Sequence, residues 1–175
     1  IDENEEQAIK TATKIIDNFQ NSYEQKWMNM MKSKLGLVGD NKDDLKLINF
    51  LLNWMEKNKA DYTNTFCYLM GISFSEETYK DRSFQDWLKA WKKRSMLNNS
   101  SREDQAELMK SNNPIVIPRN NKVEDTLNAA EYGDLRLMKK LLHVLNNPYA
   151  NQKNIIDYQK PPISSNKKYQ TFCGT

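Results

Sequence analysis

The chain has 175 residues, 38% of them hydrophobic and 28% charged, with a formal net charge of +3. That length suits one domain with its own core, and the composition is too apolar for a disordered chain. Five glycines, five prolines and two cysteines argue against a turn-rich all-β fold and against a disulfide framework. From Ala8 to Met31 the apolar positions (Ala8, Ile9, Ala12, Ile15, Ile16, Phe19, Tyr23, Trp27, Met30, Met31) advance in steps of three and four, which predicts one long amphipathic helix. It should stop at KLGLVGD, where Gly36 and Gly39 let the backbone turn. Asp40 or Asn41 then caps a helix carrying Leu45, Ile48, Leu51, Leu52 and Met55, and Asp61 caps a shorter one with Tyr62, Phe66, Leu69 and Met70.

After the linker GISFSEETYKD, Ser83 and Asp86 have capping-box spacing before a helix with Phe84, Trp87, Leu88 and Trp91. Ser100 and Glu103 repeat that spacing before the next helix. NNPIVIPRN, with Pro114 and Pro118, predicts a fixed non-helical connector. Its cation, Arg119, precedes a helix start, where the helix dipole disfavours positive charge. Arg119 therefore calls for a specific acceptor, a carboxylate or the terminal carbonyls of another helix. Two further helices, divided at Gly133 and Asp134, carry Val123, Leu127 and Ala130, then Leu135, Met138, Leu141, Leu142 and Leu145. AAEYGDLRLMKKLL looks like one ankyrin-type hairpin, but it occurs once, and an array needs about three such units.

The expected fold is all-α, an irregular bundle of about six or seven helices with an extended C-terminal tail. Residues 1–148 would form the helical domain and residues 149–175 the tail. No apolar run approaches the ~18 residues of a membrane span, and the acidic opening IDENEEQ is no signal peptide. Two cysteines in such a chain fit a reducing, cytoplasmic setting. A start at Ile1 that runs almost directly into a helix reads as a portion of a longer protein.

Signatures of catalysis are missing. The five glycines are too scattered for a phosphate-cradling loop, and one histidine with two distant cysteines assembles no metal site. His143, on a leucine-rich helix, is expected to be structural. KAWKKR, Lys89 to Arg94, is read as a core-facing Trp91 flanked by solvated cations rather than a nucleic-acid patch. Cys67, beside Phe66, is expected to be a small buried hydrophobe. Trp27, Met30 and Met31 form either a Met-rich docking patch or ordinary core. The ending KKYQTFCGT places Cys173 where chain termini usually fray, next to Lys167 and Lys168, which favour a thiolate.

Three features together resemble the selenoprotein O (SelO, YdiU) family. KLGLVGDNKDDLKLINFLLNWMEKNKADYTNTF is similar to the segment that follows that family's kinase-like core. NNPIVIPRNNKVEDTLNAAEYGDLRLMKKLLHVLNNPY is similar to its NP-x-x-x-x-RN block with the helix pair behind it. The near-terminal cysteine of TFCGT is the third, although this chain ends Gly174-Thr175 where other members carry serines. The resemblance implies a pseudokinase-fold adenylyltransferase that moves AMP from ATP, with Mg, onto Ser, Thr or Tyr hydroxyls of proteins. The family's ATP-binding and metal-holding residues lie upstream of the matched region, so no catalytic or cofactor-binding residue is assigned here. What carries over is Cys173 as a redox-active thiol; since Cys67 reads as buried, the partner expected for Cys173 in the intact enzyme is a cysteine upstream of Ile1. The implied partners are the upstream kinase-like core and the protein substrates, with no nucleic acid and no membrane. A stand-alone helical interaction module is the competing expectation.

Overall fold

A computed structural model describes residues 4–72, 77–152 and 155–162. Among them the chain forms α-helices and one 3-10 turn, with no strand: α1 (Glu5–Asp17), α2 (Phe19–Lys34), α3 (Asp44–Asn58), α4 (Tyr62–Leu69), α5 (Arg82–Ser95), α6 (Arg102–Asn112), α7 (Asn120–Glu131), α8 (Arg136–Leu145) and α9 (Ile156–Gln159). The all-α expectation holds. The helices outnumber the expected six or seven for two local reasons. The long first helix divides at Asn18, and a turn of helix, α9, forms where sequence periodicity had already faded. At Asn18 the break is slight. Its amide still bonds Lys14 O at 3.2 Å, and its carbonyl still accepts from Ser22 at 3.1 Å. Asp17 and Asn18 are weak helix formers, which locates the defect.

The Asp61 cap falls where the residues predict, whereas other helix starts lie one to three positions away: α3 begins after Asp43, which makes no side-chain cap bond, not after Asp40 or Asn41. Asn41 accepts the Asp43 amide at 2.9 Å, while the Asp44 carboxylate accepts the Asn41 amide at 3.1 Å, closing the turn that leads into α3. Asp61 caps α4 through the Asn64 amide at 2.8 Å. The start of α5 is held by Asp81, not by Ser83 with Asp86. The Asp81 carboxylate accepts from the Phe84 amide at 3.1 Å and from the Trp54 indole at 2.8 Å. An anionic cap with two such donors outcompetes a neutral serine hydroxyl. Likewise α6 opens on a capping box of Ser101 with Asp104, one residue after Ser100 with Glu103.

The main core joins the end of α2 (Met31, Leu35), α3 (Ile48, Leu51, Trp54, Met55), Phe66 of α4, Tyr79, α5 (Phe84, Trp87, Trp91) and Met109 of α6. Its indoles are all satisfied: Trp54 by Asp81, Trp87 by Leu47 O at 2.8 Å, and Trp91 by Leu35 O at 3.0 Å. Burying an indole keeps its large apolar area only if the N–H finds such an acceptor. Gly36 permits the α2–α3 turn at φ +64°. A Cβ there would also lie 2.6 Å from Gln105 Cγ and 2.9 Å from Met109 Cγ, so α6 packs against bare backbone. A second, smaller core gathers Cys67, Ile115, Val116, Val144 and Ile155. α4 therefore faces both cores, through Phe66 on one side and Cys67 on the other.

The connector between α6 and α7 is non-helical, as its two prolines require. It is anchored by the amides of Ile115 and Val116, both bonded to Pro148 O at 2.7 and 3.3 Å. Gly133, at φ +80°, ends α7, and its amide together with that of Asp134 satisfies carbonyls of the last turn. The α7–α8 hairpin is thus the helix–turn–helix that the sequence resembled. Its leucines are less buried than their spacing predicts, with Leu127, Leu135 and Leu142 all exposed.

Candidate functional site

Arg119 sits at the junction of the two cores. Its guanidinium forks onto Asp61, one nitrogen pairing with Oδ2 and NH2 bonding Oδ1 at 2.9 Å. NH2 also reaches Asn64 Oδ1 at 3.3 Å and Gln159 O at 2.9 Å. Both kinds of acceptor expected of Arg119 are present, a carboxylate and the terminal carbonyl of another helix, α9. Asp61 serves two ends at once, capping α4 and neutralising the cation at the start of α7. Gln159 completes the junction: its carbonyl also accepts from Asn64 Nδ2 at 3.1 Å, and its side chain donates to Ile115 O at 3.1 Å. One residue thus ties α4, the connector, α7 and α9 together. The fixed fork of arginine suits this role, which lysine cannot copy.

A second buried pair was hidden in the basic cluster. Arg94 bonds Asp44 through Nε at 2.6 Å and NH2 at 3.1 Å, and its remaining donors reach Asn98 Oδ1, Val38 O and Gly39 O. Arg94 is buried, against the expectation that every cation of KAWKKR faces water. Its position on the Phe84–Trp87–Trp91 face, three residues beyond Trp91, was the available signal. The rest of that expectation holds. Trp91 is core and stacks on Trp87 at 6.1 Å, Lys89 pairs with Asp86 at 2.9 Å, and Lys92 and Lys93 are exposed. His143 is exposed on α8.

Lys34 is a third polar anchor. Its ammonium lies 4.9 Å from the Phe66 ring centroid and 5.5 Å from that of Tyr62, and it donates to Asn112 O at 3.0 Å and Asn113 Oδ1 at 3.1 Å. Burial lowers its pKa, partly countered by the nearby Cys67.

Cys67 is fully buried. Burial, with the Asp61 carboxylate adding to it, pushes its thiol up to about 12. An unfolded cysteine ionises near pH 8.5. The folded thiol stays protonated, so its linked contribution to stability falls as pH rises above the unfolded value. In a Cys173→Ser background, alkylation of native Cys67 at pH 8 is expected to be about a hundredfold slower than in denaturant. Equal rates would contradict its burial. Cys173 lies outside the described residues.

Among the described residues no group of three His, Cys, Asp or Glu side chains could hold a metal ion. Gly36, Gly39, Gly71 and Gly133 sit at separate turns and build no phosphate loop. No helix is long and apolar enough to cross a membrane. The geometry is that of a helical scaffold pinned by two buried arginine–carboxylate pairs.

The sequence model of the family described as protein adenylyltransferase SelO matches residues 5–146. A protein nucleotidyltransferase YdiU of Pelagibacter ubique is 47% identical over 176 residues, covering 100% of this chain and 36% of the relative. Proteins of the same name from Bacillus mycoides and Bacillus cereus are 45% and 46% identical, each over 99% of this chain and 36% of theirs. The chain belongs to the SelO adenylyltransferase family. It spans 36% of the length of these relatives.

Proposed function

We propose that this chain is the C-terminal helical region of a longer protein adenylyltransferase, which moves AMP from ATP, with Mg, onto hydroxyls of protein substrates in the cytoplasm. The observation that carries the reading is identity of 45–47% along essentially the whole chain to proteins named nucleotidyltransferases, of which it makes up 36%. The helical domain extends past the expected boundary at residue 148 to include α9, where Ile155 at the cap packs into the second core and Gln159 is buried, and the remainder acts as its tail. Nucleotide chemistry is assigned to the remainder of the parent, a reading supported by the scattered glycines of this chain, which sit at separate turns, and by the share of each relative that lies outside the match. Calorimetry with Mg–ATP is therefore expected to show no binding to the isolated chain. Micromolar affinity would overturn this division of labour.

The tail has its own proposed role. Cys173, with Lys167 and Lys168 nearby to favour thiolate, pairs with a cysteine in the rest of the parent and makes transfer redox-dependent. Cys67 is no partner, being fully buried with its thiol held protonated. AMP transfer by the parent is expected to differ between reductant and oxidant, and the Cys173→Ser protein to lose that difference. A wild-type parent equally active under both conditions would end the regulatory role.

A further inference from the structure

The chain presents an exposed apolar stripe, but it is not the Trp27, Met30 and Met31 patch. Met31 is core, Trp27 packs against it, and only Met30 is exposed. The surface lies further toward the N-terminus. α1 buries no residue at all, although it is amphipathic. Ile9, Ile15, Ile16, Phe19 and Tyr23 are between 58% and 71% exposed. Ile9, Ala12, Ile16, Phe19 and Tyr23 advance in steps of three and four that run through the slight break at Asn18, with Ile15 beside them. Phe19 and Tyr23 already stack at 6.3 Å, so the stripe presents a formed surface. An isolated helix of this length is marginal in water unless its apolar face is covered.

We propose that this stripe is the face by which α1 and the first half of α2 dock into an apolar groove on the part of the parent protein outside this chain. The inference rests on the reading above, that the chain belongs to a longer enzyme. Most of each relative's length lies outside the match, so a covering surface of sufficient size is available on the same polypeptide. Tethering presents such a groove at an effective concentration on the order of millimolar, ahead of any second copy at cellular dilution. The polar side of α1 carries Glu5, Glu6 and Asp17 against Lys10 and Lys14, so it lacks the basic face that holds a helix on an anionic membrane. The anchor spacing is that of a helix lying in a hydrophobic groove.

Amide hydrogen exchange across residues 5–23 tests the proposal, comparing the 175-residue chain with the full-length parent. At least tenfold greater protection is expected in the parent, and an Ile16→Asp, Phe19→Asp double substitution should abolish the difference. Because both side chains are exposed here, the double substitution should leave the melting temperature of the isolated chain unchanged while lowering that of the parent. Equal exchange in both proteins overturns the proposal. So does protection in the isolated chain that grows with its concentration, which would mean a second copy, or protection that appears only with phosphatidylserine vesicles. Parent AMP transfer is measured in parallel. Active parent with an unprotected stripe defeats the docking face alone, and a protected stripe on a parent that transfers no AMP defeats the functional reading alone.

Discussion

Replacing Arg119 with alanine is expected to lower the melting temperature by about 6–12 °C, a loss of about 3 kcal/mol. The number follows from what stays behind. Asp61 would keep a largely buried carboxylate without its cation, and the carbonyls of Asn64 and Gln159 would lose a charged donor. The buried guanidinium carries its own desolvation cost, and its Nε has no acceptor, which keeps the loss below the upper range for broken buried pairs. Lysine at this position restores charge but not the fork, so Arg119→Lys should recover only part of the loss. Because Asp61 also caps α4, Asp61→Ala should cost at least as much. Calorimetric melting of both variants checks this, and an unchanged midpoint for Arg119→Ala would mean that the junction does not hold the two cores together.

A comparable loss, about 3–5 kcal/mol, is expected for Phe84→Ala. Phe84 is fully buried at the centre of an aromatic cluster. Its ring centroid lies 4.4 Å from Trp54, 5.3 Å from Tyr79, 5.6 Å from Trp87 and 5.8 Å from Tyr68. These neighbours come from α3, α4, the 3-10 turn Glu77–Lys80 and α5 itself, and each has its polar atom or packing fixed elsewhere. Trp54 is bonded to Asp81, Trp87 to Leu47 O, and Tyr79 contacts Thr65 at 3.3 Å. Such a site cannot collapse onto a void, so transfer and cavity costs add. Since single domains are stable by only about 5–15 kcal/mol, this change removes a large part of the total. Urea unfolding should show a lower midpoint with unchanged slope, and a shift worth under about 1 kcal/mol would contradict the packing described.

Much of the architecture was legible because helical periodicity and the prolines act locally. The stripe from Ala8 to Met31, the stop at Gly36, the Asp61 cap and the non-helical Pro114–Pro118 connector each follow from a few adjacent residues. The requirement that Arg119 find an acceptor was legible for the same reason, since it follows from a cation at a helix start. The identity of its partners was not. Asp61 is 58 positions away and Gln159 is 40 positions away. Nothing in the local pattern of IDYQK announces a helical turn, because α9 exists to present a carbonyl to Arg119 and Ile155 to the second core. Arg94 was misread as solvated because its charge was weighed above its place on the Trp91 face. The cap of α5 slipped because the Asp81 carboxylate takes the amide that Ser83 was expected to serve, and that of α6 slipped by one because Ser100 and Ser101 offer the same hydroxyl at adjacent positions. The stripe of α1 was legible as amphipathic, but periodicity does not say whether the covering surface lies within the chain or beyond it.

The central claim is that this helical chain belongs to an AMP-transferring enzyme whose nucleotide chemistry lies in the rest of the parent. Incorporation of AMP from α-labelled ATP into protein, with Mg present, tests it most directly when the full-length parent and the 175-residue chain are assayed side by side. The parent is expected to label protein hydroxyls and the isolated chain to label nothing. A full-length parent that transfers no AMP, or an isolated chain that does, would contradict it.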